Sequence, residues 1–268
     1  MEADLKALWQ TVFGDSTAYI DLFFRHLYKQ ANAVTEQQDG RIVSALHLVE
    51  TELFVEGDPR KAAYLCGAAT LPEYRGQGIM GRLIERAKVQ AKAGGAETIV
   101  LIPAQQSLFD YYARHGFLPL YQVEHKPYSL GDGGEEIRFS PATNPQLARK
   151  LYNETFQAKP YALCKSERIF TFIFEEAQLM GHQIDWIGSA DQPVGYIIYA
   201  KSDPGRVREL VCPDGQRRAV LDAFMRRHGL TKAVVTEPGT GQKKGMILPL
   251  DGQTITAKTA YINVMLDG

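Results

Sequence analysis

This 268-residue sequence predicts an α/β fold, a mixed β-sheet covered by helices and built as two tandem lobes of which the second is degenerate. Three observations carry that prediction. Helical segments open the chain and give way to β-rich runs followed by strand and helix in alternation, the order of an α/β sandwich. A glycine-rich turn, Gly76-Gln77-Gly78-Ile79-Met80-Gly81, joins one strand to an amphipathic helix. Features of the first half then return in weakened form after the glycine-rich break Gly131-Asp132-Gly133-Gly134, which reads as a linker between domains at residues 1–130 and 135–268.

Each element has its own warrant. A first helix is expected from about Asp4 to Phe13, and a second after the capping Ser16, where Ile20, Phe23, Phe24, Leu27 and Tyr28 recur at helical spacing. Strands follow at about Ala33 to Gln37, Arg41 to Leu53 and Ala62 to Leu71. The helix after the glycine turn carries Ile79, Leu83, Ile84, Ala87 and Ala91 on one stripe and runs to Gly94-Gly95. A strand from Thr98 to Ile102, a helix holding Tyr112 and strands through Phe117 to Tyr128 complete the first half.

In the second half Leu151-Tyr152 and Phe156 echo Leu8-Trp9 and Phe13, and the strand end Leu210-Val211-Cys212-Pro213 echoes Ala69-Thr70-Leu71-Pro72. No Gly-x-Gly follows Pro213, so this half is expected to have lost the turn. Its last strand is expected at Ala260 to Leu266.

The turn at Gly76 to Gly81 is an anion site in the making. Glycine permits tight backbone turns and close ligand approach, and the first N–H groups of a helix are unpaired at its positive dipole end. The same glycines spell G-x-G-x-x-G, the dinucleotide fingerprint, but the next strand ends in Pro103-Ala104, where a ribose-binding carboxylate would be needed. A Walker loop is excluded because no Gly-Lys-Ser/Thr follows.

The string Pro72-Glu73-Tyr74-Arg75-Gly76-Gln77-Gly78 resembles motif A of the GNAT superfamily of acyl-CoA-dependent N-acyltransferases, Arg/Gln-x-x-Gly-x-Gly/Ala. Arg75 and Gly78 match, while Met80 stands where the family has Gly or Ala. About 30 residues on, Ser107 to Phe117, with Tyr112 and Gly116-Phe117, resembles the motif B helix that ends in Tyr-x-x-x-Gly-Phe. The likeness covers about residues 4 to 130. The two-lobed layout is similar to tandem members of the enhanced-intracellular-survival type, without their sterol-carrier-like domain.

The resemblance implies a GNAT-type N-acetyltransferase that uses acetyl-CoA as co-substrate. It implies that Ala68, Ala69 and Thr70 hold the pantetheine arm, that Arg75, Gly76, Gln77, Gly78, Ile79, Met80 and Gly81 hold the pyrophosphate, and that Ser107 touches the cofactor. Tyr112 falls on the family's general acid. The acceptor is expected to be a small-molecule or peptide amine, and two other classes stand beside this one: an acyl-CoA sensor without turnover, and an aminoacyl or peptidyl transferase. A lysine-like amine is neutral to only about 1 part in 10³ near pH 7, which costs about 4 kcal/mol unless a base assists. His47, Glu50 and Glu52 are open for that role, each weighed against being a plain surface strand residue.

Composition narrows the partners. A net charge of −1 gives no electrostatic reason to expect nucleic acid or an anionic membrane. Arg217, Arg218, Arg226 and Arg227 read as a solvated helix face. Cys66, Cys164 and Cys212 are odd in number and far apart, which fits reduced thiols in a cytoplasmic protein, and none has zinc spacing. The N-terminus lacks a signal peptide's apolar stretch, and the longest apolar run, Ile169 to Phe174, falls far short of the ~20 residues of a membrane span.

Overall fold

The computed structural model describes residues 1–252, 254–255 and 260–263. Helix α1 (Glu2–Phe13) stops at Gly14 in a left-handed conformation, and α2 (Thr17–His26) starts at Ser16, whose hydroxyl accepts from the Tyr19 N–H at 3.2 Å. Strands β1 (Ala33–Gln38), β2 (Arg41–Val55) and β3 (Asp58–Thr70) follow as antiparallel neighbours. β2 and β3 are longer than the sequence pattern predicts. Glu56 and Gly57 both take positive φ, 54° and 88°, and make a two-residue hairpin turn that lets pairing run on to Val55 and Asp58.

Next come α3 (Ile79–Ala93), β4 (Thr98–Leu101), α4 (Leu108–Ala113) and β5 (Leu118–Ser129). Beyond Gly134 the chain forms β6 (Phe139–Pro141), α5 (Pro145–Phe156), β7 (Leu163–Cys164), α6 (Glu167–Leu179), β8 (His182–Gly188), β9 (Pro193–Ala200), β10 (Asp203–Val211), α7 (Arg217–Arg227), β11 (Lys232–Pro238) and β12 (Gln242–Pro249).

All the strands belong to one mixed sheet in the order β1-β2-β3-β4-β12-β5-β11-β10-β9-β8-β6, with the short β7 on the edge of β2. β3 and β4 are parallel, as are β10 and β11. Beside each parallel pair lies an antiparallel strand from the other half of the chain: β12 against β4, and β5 against β11. The halves therefore exchange strands across the sheet centre, where β5 and β12 also pair with each other.

Of the terminal strand expected at Ala260 to Leu266, only residues 260–263 are described. Ala260 makes an isolated parallel bridge to Tyr121, residues 261–263 form no strand, and residues 264–266 lie outside the described residues.

The exchange goes with a shared core. Helices α1, α2, α5 and α6 pack together on the inner face of the sheet, with Trp9, Phe23, Tyr152, Phe156, Phe170 and Phe172 among their buried side chains. Separate apolar layers lie on the outer face, one beneath α3 and α4 and one beneath α7.

The arginines of α7 do more than face solvent. Arg217 pairs with Glu237 at 2.8 Å, while Arg218 donates to the Ser129 carbonyl and Arg227 to the Phe139 carbonyl, both at 2.7 Å, tying the helix to its surroundings.

Candidate active site

The site begins where a sheet stops pairing. β3 and β4 run side by side from Ala62↔Thr98 to Leu65↔Leu101 and then part, so that from Cys66 to Thr70 β3 pairs with β2 alone. On the β2 side the register jumps from Cys66↔His47 to Ala69↔Ala45, which sets Gly67 and Ala68 opposite the single residue Leu46. This is a β-bulge, a device that bends a strand and ends regular pairing. Gly67 is required there. Its φ is +58°, and a Cβ would stand 2.6 Å from Trp9 Cζ3 and 2.9 Å from His47 Cδ2.

The parting of β4 leaves the Cys66–Thr70 backbone with an open edge, and unpaired backbone amides seek partners. An extended chain bearing amides, such as pantetheine, is a partner of that kind. Ser44 steadies the far side of this edge through its hydroxyl, which donates to the Ala69 carbonyl at 2.9 Å and lies 2.8 Å from Thr70 Oγ1.

The strand then leads into the glycine turn. Gly76 and Gly78 take φ of +76° and +69°, and Gly78 is the N-cap of α3 with no side chain capping the first-turn N–H groups. Those groups face outward at the positive end of a 15-residue helix. Two guanidinium groups frame them: Arg75 Nε donates to the Thr70 carbonyl at 3.1 Å, and Arg82 Nη1 to the Gln77 carbonyl at 3.0 Å. Arg82 escaped sequence reasoning, although its place four residues after Gly78 brings it back over the turn.

Gln77 is exposed, its amide directed at the Glu73 carbonyl at 3.4 Å, while Ile79 is buried and anchors the helix. Met80 is half-buried against the outer layer. Gly81 meets a different demand from its two neighbours, for its missing Cβ makes room for the His115 ring, whose Cε1 would stand 3.2 Å away.

Tyr112 closes the open side from α4. It is buried, with ring contacts to Tyr111 at 5.3 Å and Phe117 at 5.8 Å, and its hydroxyl is close enough to the Cys66 thiol for the two to interact electrostatically. Burial, with lesser contributions from Tyr111 and Cys66, pushes the phenol up to about 12. It therefore remains a proton donor throughout the neutral range. Tyr111 on the next position is less buried and packs on His115 at 5.1 Å, with Arg114 over its ring. Ser107 is exposed at the N-cap of α4, in the segment where β4 has parted from β3.

A family profile of the acetyltransferase (GNAT) domain matches residues 2–119. Those residues are a GNAT acetyltransferase domain. It is an acyltransferase domain by that match, which spans the bulge, the glycine turn and Tyr112.

Solved structures extend the likeness in fold to the whole chain. A conserved protein of Enterococcus faecalis V583 superposes with a TM-score of 0.78 at 12% identity, over 93% of this chain and 70% of its own. A GCN5-related N-acetyltransferase of Anabaena variabilis gives 0.77 at 17% identity, over 92% and 70%. Eis1 of Mycobacterium abscessus gives 0.72 at 12% identity, over 93% and 71%. Among curated protein sequences none matches this one.

Within the GNAT domain the three carboxylate and imidazole groups considered as bases lie in quite different surroundings. His47 is no surface residue. It sits in a cage of Trp9, Phe23, Phe24 and Tyr28, all with ring centroids within 5.8 Å, and its Nδ1 has no hydrogen-bond partner. Desolvation pulls its pKa down to about 4, so it is neutral at pH 7. Glu50 is exposed and engaged by Lys29 and by Asn32, whose Nδ2 donates to it at 3.1 Å; the Lys29 bond above all holds its carboxyl below the usual range. Glu52 accepts from the Cys164 thiol at 3.8 Å.

Among the described residues no cluster of His, Cys, Asp and Glu is arranged to hold a metal ion, and no helix is long and apolar enough to cross a membrane.

Proposed function

We propose that this chain moves the acetyl group of acetyl-CoA to a primary amine by direct attack. The reaction takes place in a first lobe of residues 1–130, beside a degenerate second lobe of residues 135–268. One observation carries the reading: the open edge at Cys66–Thr70 leads on one side to the uncapped start of α3 and on the other to the Tyr112 hydroxyl. A phosphate bridge at the helix start would let pantetheine pair with Ala68, Ala69 and Thr70, which brings the thioester toward Tyr112. The turn from Arg75 to Gly81 and Ser107 would hold the rest of the cofactor.

The amine nitrogen attacks the thioester carbonyl, the C–S bond breaks, and the departing thiolate takes the Tyr112 proton, which the phenol regains from the attacking nitrogen or from solvent. The ammonium form of the acceptor loses one further proton to water, so the sum is ammonium plus thioester giving amide, thiol and a proton. A thiol's pKa of about 8.5 lies below that of the raised phenol, but a thiolate formed in the same desolvated cleft gains proton affinity by the same burial.

The second lobe is proposed to bind no CoA. Its parallel pair also parts, after Val207↔Val235, but the place of Ala68 is taken by Glu209, whose carboxylate is filled by Lys165 at 3.0 Å, Tyr196 at 2.6 Å, Tyr261 at 3.1 Å and Asn263 at 2.8 Å.

Free cysteines and the absence of any charge bias toward nucleic acid fit a cytoplasmic enzyme acting on a small-molecule or peptide amine. Calorimetry tests the cofactor assignment. We expect one CoA per chain, tighter than NADH, and a loss of at least tenfold in both Gly78→Val and Arg75→Ala combined with Arg82→Ala. Unchanged CoA affinity in these variants, or two equivalent sites per chain, would refute it.

A further inference from the structure

The first turn of α3 is flanked by two donors, and each is held by a carboxylate of its own. On the side facing β1 stands Arg82, which donates to the Gln77 carbonyl and has Glu36 Oε1 3.7 Å from its Nη2, while Arg86 one turn on pairs with Glu36 at 3.2 Å. On the side facing α4 stands His115, whose Nδ1 lies 3.1 Å from Glu85 Oε1. Residues four apart share a side of a helix, which is why Gly81 and Glu85 both face His115 while Arg82 and Arg86 both face Glu36.

Two contacts orient the imidazole. A Cβ on Gly81 would stand 3.2 Å from His115 Cε1 and 3.5 Å from Nε2, so this edge of the ring rests against the first turn of the helix. Nδ1 is directed at Glu85, one turn further along. The ring therefore lies along α3, with Nδ1 toward the C-terminal side and Nε2 toward the helix start, where Ile79, Met80 and Gly81 offer N–H groups that no helix carbonyl takes. Nε2 itself has no hydrogen-bond partner among the described residues.

The surroundings keep the ring in that attitude. Tyr111 packs against it at 5.1 Å with Arg114 over the Tyr111 face, and Lys88 fixes Glu85 at 2.7 Å. Gly81 weakens the helix relative to an alanine, and its missing side chain is what admits the ring. A strut between two helices needs only a ring; a carboxylate aligned on Nδ1 also decides where the second nitrogen points, and as imidazolium the ring donates from both.

We propose that His115 is a cofactor-binding residue: its Nε2–H, turned by Glu85, donates to an oxygen of the CoA diphosphate on the first turn of α3. The diphosphate then lies between Arg82 on one side and His115 on the other, above the backbone N–H groups. This rests on the acetyl-transfer reading above, which seats the cofactor's phosphates at that turn.

Calorimetry of the whole protein with CoA and with 3′-dephospho-CoA, which keeps the diphosphate and lacks the ribose phosphate, tests the contact. His115→Phe keeps a ring against Gly81 and Tyr111 and removes both nitrogens. It should weaken both ligands about tenfold, as loss of a charge-assisted hydrogen bond does, with Tm close to the parent's. His115→Gln can still donate and should regain part of the loss.

Glu85→Gln gives a second reading should the His115 variants fold poorly. Removing a carboxylate near an anion site strengthens binding by itself, so a loss of affinity in Glu85→Gln reports the ring that Glu85 holds, and the same change in His115→Phe should bring no further loss. Affinities within about twofold of the parent in His115→Phe, no recovery in His115→Gln, or a loss confined to CoA, which would move the contact to the ribose phosphate, would overturn the inference. Failure of the acetyl-transfer reading itself shows separately, as an absence of CoA binding to the parent protein.

Discussion

Gly67→Ala tests whether the bulge is built on a backbone contact that only glycine permits. The added methyl would lie 2.6 Å from Trp9 Cζ3 and 2.9 Å from His47 Cδ2, and the residue would have to keep a φ of +58°. Left-handed backbone costs an alanine about 1 kcal/mol and overpacking of a tight site a further 1–3 kcal/mol, so the variant should lose about 2 to 4 kcal/mol. For a chain of this size that lowers Tm by roughly 4 to 16 °C.

Neither cost can be relieved locally, because Trp9 is held by Phe23, by Phe24 and by a 2.8 Å bond from its indole N–H to Asp15. Urea unfolding measures the loss. Trp9→Leu in the same chain should recover part of it, giving a coupling of at least about 0.5 kcal/mol in the double-mutant cycle. If Gly67→Ala flattens the bulge, the open edge closes and CoA affinity falls tenfold or more. A variant within about 0.5 kcal/mol of the parent, with CoA affinity intact, would refute both the contact and the role of the bulge.

Two further outcomes follow from buried groups. The His47 pKa is lowered to about 4 in the folded state from 6.5 unfolded, so its contribution to stability is complete above pH 6.5 and falls away as pH drops toward 4. Between pH 7.5 and pH 5 this amounts to about 2 kcal/mol, and His47→Phe should be less sensitive than the parent by that amount in paired urea titrations; an identical acid limb would contradict the cage assignment. Lys165→Met leaves the Glu209 carboxylate buried without its cation and should cost about 3–5 kcal/mol, whereas Lys165→Met with Glu209→Gln should regain a large part of that loss in thermal unfolding. Additive losses in the pair would show that the two do not act as one unit.

The sequence was most legible where local rules operate. Ser16, the glycine turn and the apolar stripe of α3 each carry their own geometry, and the structure places all three as expected. Much of the rest depends on partners distant in the chain. β12 contains the apolar Met246-Ile247-Leu248, but its position between β4 and β5 comes from a strand exchange that no local pattern encodes.

His47 shares a strand face with Ala45 and Val49, and it becomes a caged residue because Trp9, Phe23, Phe24 and Tyr28, all earlier in the chain, pack on that face. Gly67 itself was readable as one more small residue in Cys66-Gly67-Ala68-Ala69, since its signal is a clash with Trp9 across 58 positions of chain.

Tyr112→Phe, set beside Tyr111→Phe, is the most direct measurement of the proposed chemistry. Both substitutions keep a ring and remove a hydroxyl, on adjacent helical positions whose side chains point about 100° apart. With an amine that the parent protein acetylates, Tyr112→Phe should retain acetyl-CoA affinity while kcat falls by roughly 10² to 10⁴-fold, the span of a lost general acid, and Tyr111→Phe should lose only a few-fold. Equal and small losses of kcat in the two variants would contradict the account, because the buried hydroxyl beside Cys66 would then not be the proton donor to the leaving thiolate.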